Sequence, residues 1–322
     1  MNKKFWKNLN VLITGYEGFL GSNLTRRMIS YGAKITGVDI EVGKKGNVLA
    51  RGDYKRITVI KGSVTNPRLL KGIISRHKPE IVFHLAAEAI VGKCNKYPMR
   101  TFKTNIEGTW NVLEACRNNN AVRAIVIASS DKAYGSHKIL PYKEIAPLCG
   151  SHPYDVSKSC ADLIAHSYHH TYKLPVAITR CANLYGPGDP NFSRIVPEAI
   201  KCALLDKTLI IRSDGKFTRD YLYVLDAVNG YVLLAEKLNS LRLAGEAFNL
   251  SQERPVTVLE LVNKISQILN KKANYKVLNV AKYEIKDQYL SSAKARRILN
   301  WKPQYTLIEG LKETIGWYRN YL

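Results

Sequence analysis

The sequence predicts a doubly wound α/β fold, in which helices cover both faces of a parallel β-sheet. Apolar runs alternate with helical segments through the first half of the chain, and the runs are too continuous for strands that expose one face to water. The strand-like runs are, in order, NVLITG, KITGVDI, ITVIKG, IVFHLAA and AIVIASS. Between them, helices are predicted from about Phe19, over Pro67 to His77, over Tyr97 to Asn118, and from about Tyr154. This alternation is typical of parallel strands joined by crossover helices.

A stretch rich in glycine and proline, NLYGPGDPNF, marks the clearest change of character along the chain. A glycine- and proline-rich stretch of this kind predicts a domain boundary. The sequence contains no internal repeat or low-complexity linker. We expect residues 1–182 to form the sheet domain, which the segment RDYLYVLDAVNGYVLLAEKL rejoins at about 219–250. Residues 183–218 and 251–322 are expected to form a smaller C-terminal lobe that binds the substrate.

The composition indicates a globular protein with a large excess of positive charge. The 322 residues are 46% hydrophobic, and 49 Lys and Arg against 26 Asp and Glu give a formal net charge of +23. This excess favours anionic partners, but the basic residues are spread from Lys3 to Arg319, which disfavours a nucleic-acid partner. No apolar run reaches the roughly 20 residues that span a bilayer, and no signal-peptide core is visible. We therefore expect a cytoplasmic protein without a membrane partner.

Metal and disulfide chemistry are not indicated by the sequence. The six cysteines form no C-x-x-C pair, which argues against a zinc ribbon or a redox centre and favours reduced thiols. His166 and His170 have a spacing that could bind a metal, but no carboxylate or thiol ligand pattern accompanies them. We interpret both histidines as helix-surface residues and expect no metal site.

Three glycines after the first strand predict a cradle for phosphate. Gly15, Gly18 and Gly21 lie where a strand ends and a helix begins, so that close backbone approach and the N–H groups of the helix start can bind a pyrophosphate. The second strand ends at Asp39, where a carboxylate can accept hydrogen bonds from the adenosine ribose and repel a 2′-phosphate. The pattern therefore predicts NAD, rather than NADP, as the cofactor.

Tyr154 and Lys158, in HPYDVSKSCAD, form a second candidate site. They are four residues apart on a helix that begins after Pro153, and hence share one face of it. A phenol has a pKa of about 10, so work as a base near neutral pH requires a cation to lower that pKa. The neighbouring ammonium and an oxidised nicotinamide ring are suitable cations. Downstream of the glycine pattern, this pair is the preferred catalytic candidate, and Lys158 could also hold the nicotinamide ribose.

Four further motifs accompany these sites, namely HLAA at residues 84–87, Ser130, NLYGPG and RDYLYVLD. Together with the glycines and Tyr154-x-x-x-Lys158, they resemble the extended short-chain dehydrogenase/reductases of the nucleotide-sugar epimerase and dehydratase group, over nearly the whole chain. The resemblance implies a Rossmann-type domain, bound NAD, and a nucleoside-diphosphate sugar as substrate. It also implies a homodimer formed through the helices at about Thr101 to Asn118 and Tyr154 to Tyr172.

The resemblance further assigns individual residues. Besides the glycines, Asp39, Tyr154 and Lys158, it implies cofactor contacts at Tyr16, Phe19, Leu20, Ser63, Val64, Leu85, Ala86, Ala87 and Asn105. Contacts with the sugar nucleotide are implied at Glu88, Ser130, Asn183, Arg194 and Arg219. Ser63 stands where the family commonly carries an aspartate that faces the adenine. Arg194 could instead cap a surface helix.

Ser129 to Gly135, SSDKAYG, bears on which reaction is catalysed. In the family pattern, Ser130 and Tyr154 act on the 4-hydroxyl while hydride leaves carbon 4. An epimerase needs no further acid or base, whereas a 4,6-dehydratase must also remove the carbon 5 proton and expel the carbon 6 hydroxyl. Asp131 as acid and Lys132 as base coincide with the elimination pair of the family. The Ser-Asp-Lys form is similar to that of CDP-glucose 4,6-dehydratases and of some UDP-N-acetylhexosamine dehydratases. A solvated Asp-Lys turn is the alternative interpretation.

The preferred hypothesis is thus an NAD-dependent nucleotide-sugar 4,6-dehydratase that uses Ser130, Asp131, Lys132, Tyr154 and Lys158. A 4-epimerase is the nearest enzymatic alternative, and NLYGPG is closer to the general epimerase pattern. A non-catalytic NAD sensor or nucleic-acid-binding protein is suggested by the positive charge. The intact tyrosine and lysine weigh against that third reading, because a sensor needs only the cradle around Gly15.

Overall fold

The computed structural model describes residues 2–280 and 285–322, and a seven-stranded parallel sheet lies at its centre. The strands are β1 (Asn10–Thr14), β2 (Lys34–Asp39), β3 (Ile57–Lys61), β4 (Ile81–His84), β5 (Ala124–Ala128), β6 (Val176–Cys181), β7 (Asn183–Tyr185), β8 (Leu209–Ile211), β9 (Thr218–Arg219), β10 (Tyr221–Tyr223), β11 (Ala247–Leu250), β12 (Val256–Thr257), β13 (Tyr275–Val277) and β14 (Asp287–Gln288). The large sheet has the order β11-β6-β5-β4-β1-β2-β3. The five runs predicted as strands are β1 to β5, and the predicted α/β class is confirmed.

Twelve α-helices occur in the part of the chain that the structure describes. They are α1 (Lys3–Trp6), α2 (Phe19–Ser30), α3 (Arg51–Tyr54), α4 (Pro67–His77), α5 (Val91–Lys96), α6 (Pro98–Phe102), α7 (Gly108–Arg117), α8 (Pro153–Tyr172), α9 (Ile195–Leu204), α10 (Val224–Lys237), α11 (Val258–Ile268) and α12 (Leu307–Tyr321). Lys103–Glu107 and Ala295–Leu299 form π-helical turns, and Asp131–Tyr134 forms a 3₁₀ turn. The helix predicted from Tyr97 to Asn118 is therefore observed as α6, a π-helical turn and α7 in succession.

Both faces of the large sheet are buried at its central strands β1, β4, β5 and β6, as the continuous apolar runs predict, whereas the edge strand β3 has no buried residue. Successive side chains of a strand point to opposite faces, and β1 illustrates the result. Val11 and Ile13 belong to a core with residues of α2 and α10, whereas Leu12 belongs to a second core with residues of α4, α7 and α8. A third core lies outside the sheet and joins α9, α11 and α12 to β8 and β10.

The segment expected to rejoin the large sheet at about 219–250 does so only in part. β11 pairs with β6 at the edge of the sheet, and α10 packs against α2. β10 instead pairs with β7 in a separate two-stranded sheet. β11 occupies the position beside β6 in the large sheet. β10 therefore pairs with β7, the short strand that follows β6 in the chain. The division of the chain into two domains stays a prediction.

A buried ion pair stabilises the packing of α8 against β6. Arg180 is 6% exposed and Asp162 is 3% exposed, and the guanidinium donates two hydrogen bonds of 2.8 Å to the two carboxylate oxygens. Arg180 also donates to the hydroxyl of Tyr134 and to the carbonyl of Glu144. Each nitrogen atom of the buried guanidinium group therefore has a hydrogen-bond partner, as the burial of a charge requires.

We expect Asp162→Asn to lower the free energy of unfolding by about 3 kcal/mol, because it leaves the buried Arg180 charge without its counter-charge. Denaturant-induced unfolding measures the change. Asp206→Asn is the matched control, because Asp206 pairs with Lys271 at the surface and its side chain is 79% exposed. The control should cost less than about 1 kcal/mol. Equal effects of the two variants would contradict this account.

Within residues 2–280 and 285–322, no helix combines the length and the apolar character that crossing a bilayer requires.

Candidate active site

The candidate site is a cleft of about 2280 Å³ at the carboxyl ends of the parallel strands. Ligands of open α/β sheets bind at this edge, because the loops that leave the strands diverge there. The ends of β1, β2 and β5 supply lining residues from the large sheet, and the loop around Asn191, the β8 region and Arg219 supply them from the C-terminal part. The cleft therefore has room for an extended ligand between the two.

The glycines after β1 form a tight cradle at the start of α2. Gly15 has φ of +73°, in the left-handed region that favours glycine. A Cβ atom at Gly21 would lie 2.0 Å from the carbonyl oxygen of Gly15, so only glycine fits there. The N–H groups of the first turn of α2 are consequently accessible to an anion. Gly18 is the N-cap of this helix and has no side chain to compete for those groups.

Asp39 lies where β2 ends, as predicted, and lines the same cleft. Its carboxylate accepts hydrogen bonds from the backbone N–H groups of Glu17 and Glu41. Burial raises the pKa of Asp39, although these two hydrogen bonds oppose the rise. The carboxylate is thereby fixed in position beside the glycine cradle.

Glu17 was missed by the sequence reasoning, although it lines the cleft between the glycines and Asp39. It is 1% exposed. Its carboxylate accepts hydrogen bonds from the N–H groups of Gly43 and Lys44, from the amide of Asn47 and from the hydroxyl of Tyr54. One carboxylate therefore holds the loop that follows β2. The only sequence signal is a charged residue inside the glycine pattern.

Most of the other residues predicted to contact the cofactor line the cleft. They are Phe19, Leu20, Ser63, Val64, Leu85, Ala86 and Ala87. The Ser63 hydroxyl lies 2.8 Å from the hydroxyl of Thr65, so a hydroxyl pair occupies the place of the family's aspartate.

Tyr16 and Asn105 are not among the residues that line the cleft, and their predicted cofactor contacts stay a prediction. Tyr16 is fully buried, and its ring packs against Gly37 of β2. The Asn105 amide accepts from the N–H of Glu88, and donates to the carbonyl of Glu88 and to the hydroxyl of Ser157. Asn105 thus ties the loop after β4 to α8, because hydrogen bonds from a buried side chain hold the loop backbone in place.

Tyr154 and Lys158 both line the cleft from the first two turns of α8. The ammonium of Lys158 lies 5.9 Å from the centroid of the Tyr154 ring and donates a 2.6 Å hydrogen bond to the carbonyl of Ala128, where β5 ends. Burial lowers the pKa of Lys158 to about 8. The structure thus brings together the two residues that the Y-x-x-x-K spacing predicts.

The pKa of Tyr154 corrects one expectation. Burial raises this pKa to about 12, although a hydrogen bond with Ser130 and the charge of Arg194 oppose the rise. The expected lowering is therefore not produced by the residues of the protein alone. A positive charge that a bound ligand brings to the ring would lower this pKa.

Ser130, Asp131 and Lys132 follow β5 directly, at the cleft. Ser130 caps the 3₁₀ turn, because its hydroxyl accepts from the N–H of Lys132. The same hydroxyl donates to Oδ1 of Asp131 at 3.0 Å. Asp131 is only 3% exposed, so the alternative of a solvated Asp-Lys turn is wrong for the carboxyl group.

The second carboxyl oxygen of Asp131 is the most informative atom in the site. Oδ2 is buried and has no hydrogen-bond partner among the residues that the structure describes. Burial raises the pKa of Asp131, while Lys132 and the Ser130 hydrogen bond act in the opposite direction. A buried carboxyl oxygen without a donor is stabilised by carrying a proton, because a bare charge there would be desolvated. Asp131 is therefore suited to donate a proton into the cleft.

Gln288, on β14, is the second residue that the sequence reasoning missed. It is fully buried. Its amide oxygen accepts a hydrogen bond from the Lys132 ammonium nitrogen, and its amide nitrogen donates to the carbonyl of Asp131 at 3.1 Å. Gln288 is separated from this pair by more than 150 residues of sequence, so no local motif could have revealed the contact.

The residues predicted to bind the sugar nucleotide all line the cleft. Glu88 pairs with Arg100 at 2.6 Å, and Asn183 donates to the carbonyl of Asp220. Arg194 occupies the N-cap position of α9, but its side chain pairs with the buried Asp189 instead of capping the helix. The Arg219 guanidinium donates to the carbonyls of Thr218, Ile285 and Lys286.

Metal-binding groups are not assembled in the described part of the chain, where no cluster of three His, Cys, Asp or Glu side chains forms. His166 and His170 stack on the exposed face of α8. The six cysteines are free thiols, of which Cys94, Cys116 and Cys181 are buried.

Comparisons of this chain with known proteins all point to the same group of enzymes, the nucleotide-sugar dehydratases and epimerases. The family model for GDP-mannose 4,6 dehydratase matches residues 12–314. A CDP-glucose 4,6-dehydratase of Salmonella typhimurium is 28% identical, with 100% of this chain and 94% of that protein covered. The solved dTDP-glucose 4,6-dehydratase of Bacillus anthracis, in complex with NAD, is 30% identical, with a TM-score of 0.87 and 97% of each chain covered. The UDP-glucose 4-epimerase of Thermotoga maritima, solved with UDP-glucose, is also 30% identical, with a TM-score of 0.88 and 97% and 99% coverage.

These relatives are enzymes, and both elimination and epimerisation are represented among them. The resemblance to nucleotide-sugar epimerases and dehydratases that the motifs carry is therefore confirmed. With nearly its full length matched, the chain belongs to the GDP-mannose 4,6 dehydratase family, among the nucleotide-sugar dehydratases and epimerases of the extended short-chain dehydrogenase/reductases.

Proposed function

We propose that this protein is an NAD-dependent nucleotide-sugar 4,6-dehydratase. The observation that carries the proposal is the buried Asp131 carboxyl, whose Oδ2 lies without a hydrogen-bond partner among the described residues. An epimerase needs no acid for a leaving hydroxyl, whereas elimination of water does. Asp131 also lies beside Lys132, which can serve as the base, and beside Ser130, which reaches Tyr154.

The cradle fits NAD. Gly15, Gly18 and Gly21 would hold the pyrophosphate at the start of α2, because the absence of a Cβ atom at Gly21 lets the helix start pack directly against the Gly15 carbonyl and keeps the turn tight. Asp39 would accept the ribose hydroxyls, and Lys158 would hold the nicotinamide ribose. When bound, NAD⁺ supplies a hydride acceptor and a positive ring. That positive charge is the one required to lower the pKa of Tyr154.

The residues of the chain can then complete the reaction. Tyr154, assisted by Ser130, takes the proton of the 4-hydroxyl as hydride leaves carbon 4. Lys132 takes the proton from carbon 5, and Asp131 gives its proton to the carbon 6 hydroxyl, which departs as water. Hydride returns to carbon 6 and Lys132 returns a proton to carbon 5, which yields a 4-keto-6-deoxy sugar. Burial favours the protonated form that Asp131 needs as an acid, whereas Tyr154 needs a nearby positive charge to lose its proton.

The substrate proposed is a nucleoside-diphosphate sugar. Arg194 and Arg219 line the cleft from the C-terminal part of the chain, and planar guanidinium groups bind phosphate oxygens in pairs. The excess of positive charge over the whole chain is consistent with an anionic substrate.

A 4-epimerase is the second candidate. The specific observation that favours it is the likeness to the Thermotoga maritima epimerase, which is as similar in sequence as the Bacillus anthracis dehydratase. Ser130, Tyr154 and Lys158 would serve both reactions, so the two candidates differ only in the use of Asp131 and Lys132.

A homodimer and a cytoplasmic location complete the proposal. The apolar side chains Trp110, Leu163 and Tyr172 are 43%, 58% and 53% exposed on α7 and α8. Exposed apolar side chains on these helices are consistent with a covered surface, and the family resemblance implies a dimer through the same two helices. Neither nucleic acid nor a membrane is proposed as a partner.

The deciding experiment is incubation of the purified protein with UDP-, CDP-, GDP- and dTDP-hexoses, followed by mass spectrometry of the products. A dehydratase yields a product lighter by one water. An unchanged mass with altered stereochemistry would replace the proposal by epimerisation. No turnover of any of these sugars, with NAD bound, would reject both candidates.

The cofactor site gives a separate prediction. Gly21→Ala should weaken NAD binding at least about tenfold, because the added methyl group meets the Gly15 carbonyl and forces the cradle open. Isothermal titration calorimetry with NAD measures the effect. Gly72→Ala on α4 is the matched control, since a Cβ there meets no atom within 4 Å. Undiminished affinity in Gly21→Ala would place the pyrophosphate elsewhere.

A further inference from the structure

We propose that Gln288 is a positioning residue, which holds Lys132 through a neutral amide and joins the elimination pair to the strand that carries Arg219. This inference rests on the proposed dehydratase function. Gln288 lies on β14, in the C-terminal part of the chain, yet it contacts the 3₁₀ turn that follows β5.

The contacts fix both residues of the pair. The Gln288 amide oxygen accepts from Nζ of Lys132, and the Gln288 amide nitrogen donates to the backbone carbonyl of Asp131. Because the side chain is fully buried, water does not compete for either hydrogen bond. The amide thus sets the direction of the lysine nitrogen relative to the Asp131 carboxyl group.

The neutrality of the amide matters for the chemistry. A lysine acts as a base only after it has lost its proton, and a nearby negative charge opposes that loss. Asp131 in the same turn and Asp155 on α8 already face Lys132, and Arg219 on β9 is the opposing cation near Asp131. An amide orients the lysine nitrogen without adding a further negative charge, which a glutamate at the same place would do.

The same residue is linked to the proposed diphosphate site. β14 runs parallel to β9, and Gln288 is the register partner of Arg219. The Arg219 guanidinium donates to the carbonyls of Ile285 and Lys286, in the segment that leads into β14. A diphosphate bound by Arg219 would therefore also affect the position of β14, whose Gln288 side chain holds Lys132. Substrate binding and the placement of the base are coupled in this way.

The test separates the two half-reactions in Gln288→Glu. In a single turnover, reduction of NAD reports oxidation at carbon 4, and uptake of deuterium from heavy water at carbon 5 reports the base. We expect oxidation to change less than about threefold, while carbon 5 exchange and water loss fall about 100-fold at neutral pH. The exchange rate should recover as the pH is raised, because the added carboxylate keeps Lys132 protonated to higher pH.

A second variant and a control complete the design. Gln288→Met removes both hydrogen bonds without adding charge, and should slow carbon 5 exchange without moving its pH profile. In a Lys132→Met background, Gln288→Glu should cause no further loss, because Gln288 acts through Lys132. Gln267→Glu, on the exposed face of α11, makes the same chemical change away from the cleft and should leave every step unaltered.

The outcomes distinguish this inference from the proposed function. If the unaltered protein releases no water from any nucleotide sugar, the dehydratase proposal fails. If it releases water and Gln288→Glu exchanges the carbon 5 proton at the original rate and with the original pH profile, the role of Gln288 is refuted. An additive loss in the Lys132→Met background would also refute it. Should Gln288→Glu not fold, Gln288→Met and its double variant decide the question.

Discussion

Tyr154→Phe should reduce hydride transfer from carbon 4 by about 1,000-fold, since it removes the group that takes the 4-hydroxyl proton. Both the reduction of NAD and the release of water should be lost, because elimination follows oxidation. Rapid-mixing absorbance of the reduced nicotinamide measures the first step directly. The fold should be unchanged, because the substitution removes one oxygen from a ring that lines the cleft.

The raised pKa of Tyr154 also predicts how the rate of hydride transfer changes with pH. Burial raises the pKa of Tyr154 to about 12, and a positive nicotinamide ring and the Lys158 ammonium act against that rise when the cofactor is bound. Hydride transfer should therefore increase with pH as Tyr154 loses its proton, and Lys158→Met should move this increase to higher pH.

Tyr275→Phe is the control for Tyr154→Phe, because Tyr275 lies on β13 outside the cleft and is 37% exposed. It should transfer hydride at the parent rate. If Tyr154→Phe also retained the parent rate, Tyr154 would not be the base, and the assignment of the Tyr154 and Lys158 pair would be withdrawn.

Asp131→Asn should slow the loss of water by about 100-fold to 1,000-fold while leaving the oxidation at carbon 4 nearly unchanged. The asparagine preserves the volume of the side chain, but its amide is a far weaker acid than a carboxyl group. Reduced NAD and the 4-keto sugar should therefore accumulate. Combined absorbance and mass spectrometry of a quenched single turnover measure both species.

The pH profile of elimination tests the same residue in the parent protein. A general acid works only while it is protonated, so water loss should decline as the pH rises above the pKa of Asp131, which burial raises. Asp131→Asn should abolish that decline. The exposed variant Asp206→Asn should keep both the rate and the decline, and equal water loss in Asp131→Asn and the parent would remove Asp131 from the reaction.

The parts of the molecule that follow local rules were predictable from the sequence. The strands β1 to β5 follow from apolar runs, the start of α2 at Phe19 from a glycine turn, and the range of α4 from Asn66 with Pro67 at a helix start. The pairing of Tyr154 with Lys158 follows from helix geometry. The position of β10 was not predictable in this way, because it depends on the long-range pairing of β11 with the edge of β6.

The site beyond these motifs depends on long-range contacts. Gln288 and Lys132 are separated by 156 residues of sequence, and the segment between them contains no pattern that predicts their hydrogen bond. The direction of the Tyr154 pKa was also beyond sequence reasoning, because a helix spacing shows which cation is near but not how much water the fold removes. Desolvation exceeds the effect of the neighbouring charges at this phenol.

The single carboxylate of Glu17 has a consequence for the thermodynamics of ligand capture. Since the loop after β2 donates three hydrogen bonds to that group, its conformational entropy is lost when the chain folds and not when a nucleotide binds. Association at this end of the cleft should therefore carry a small ordering penalty, in the manner of a preorganised receptor.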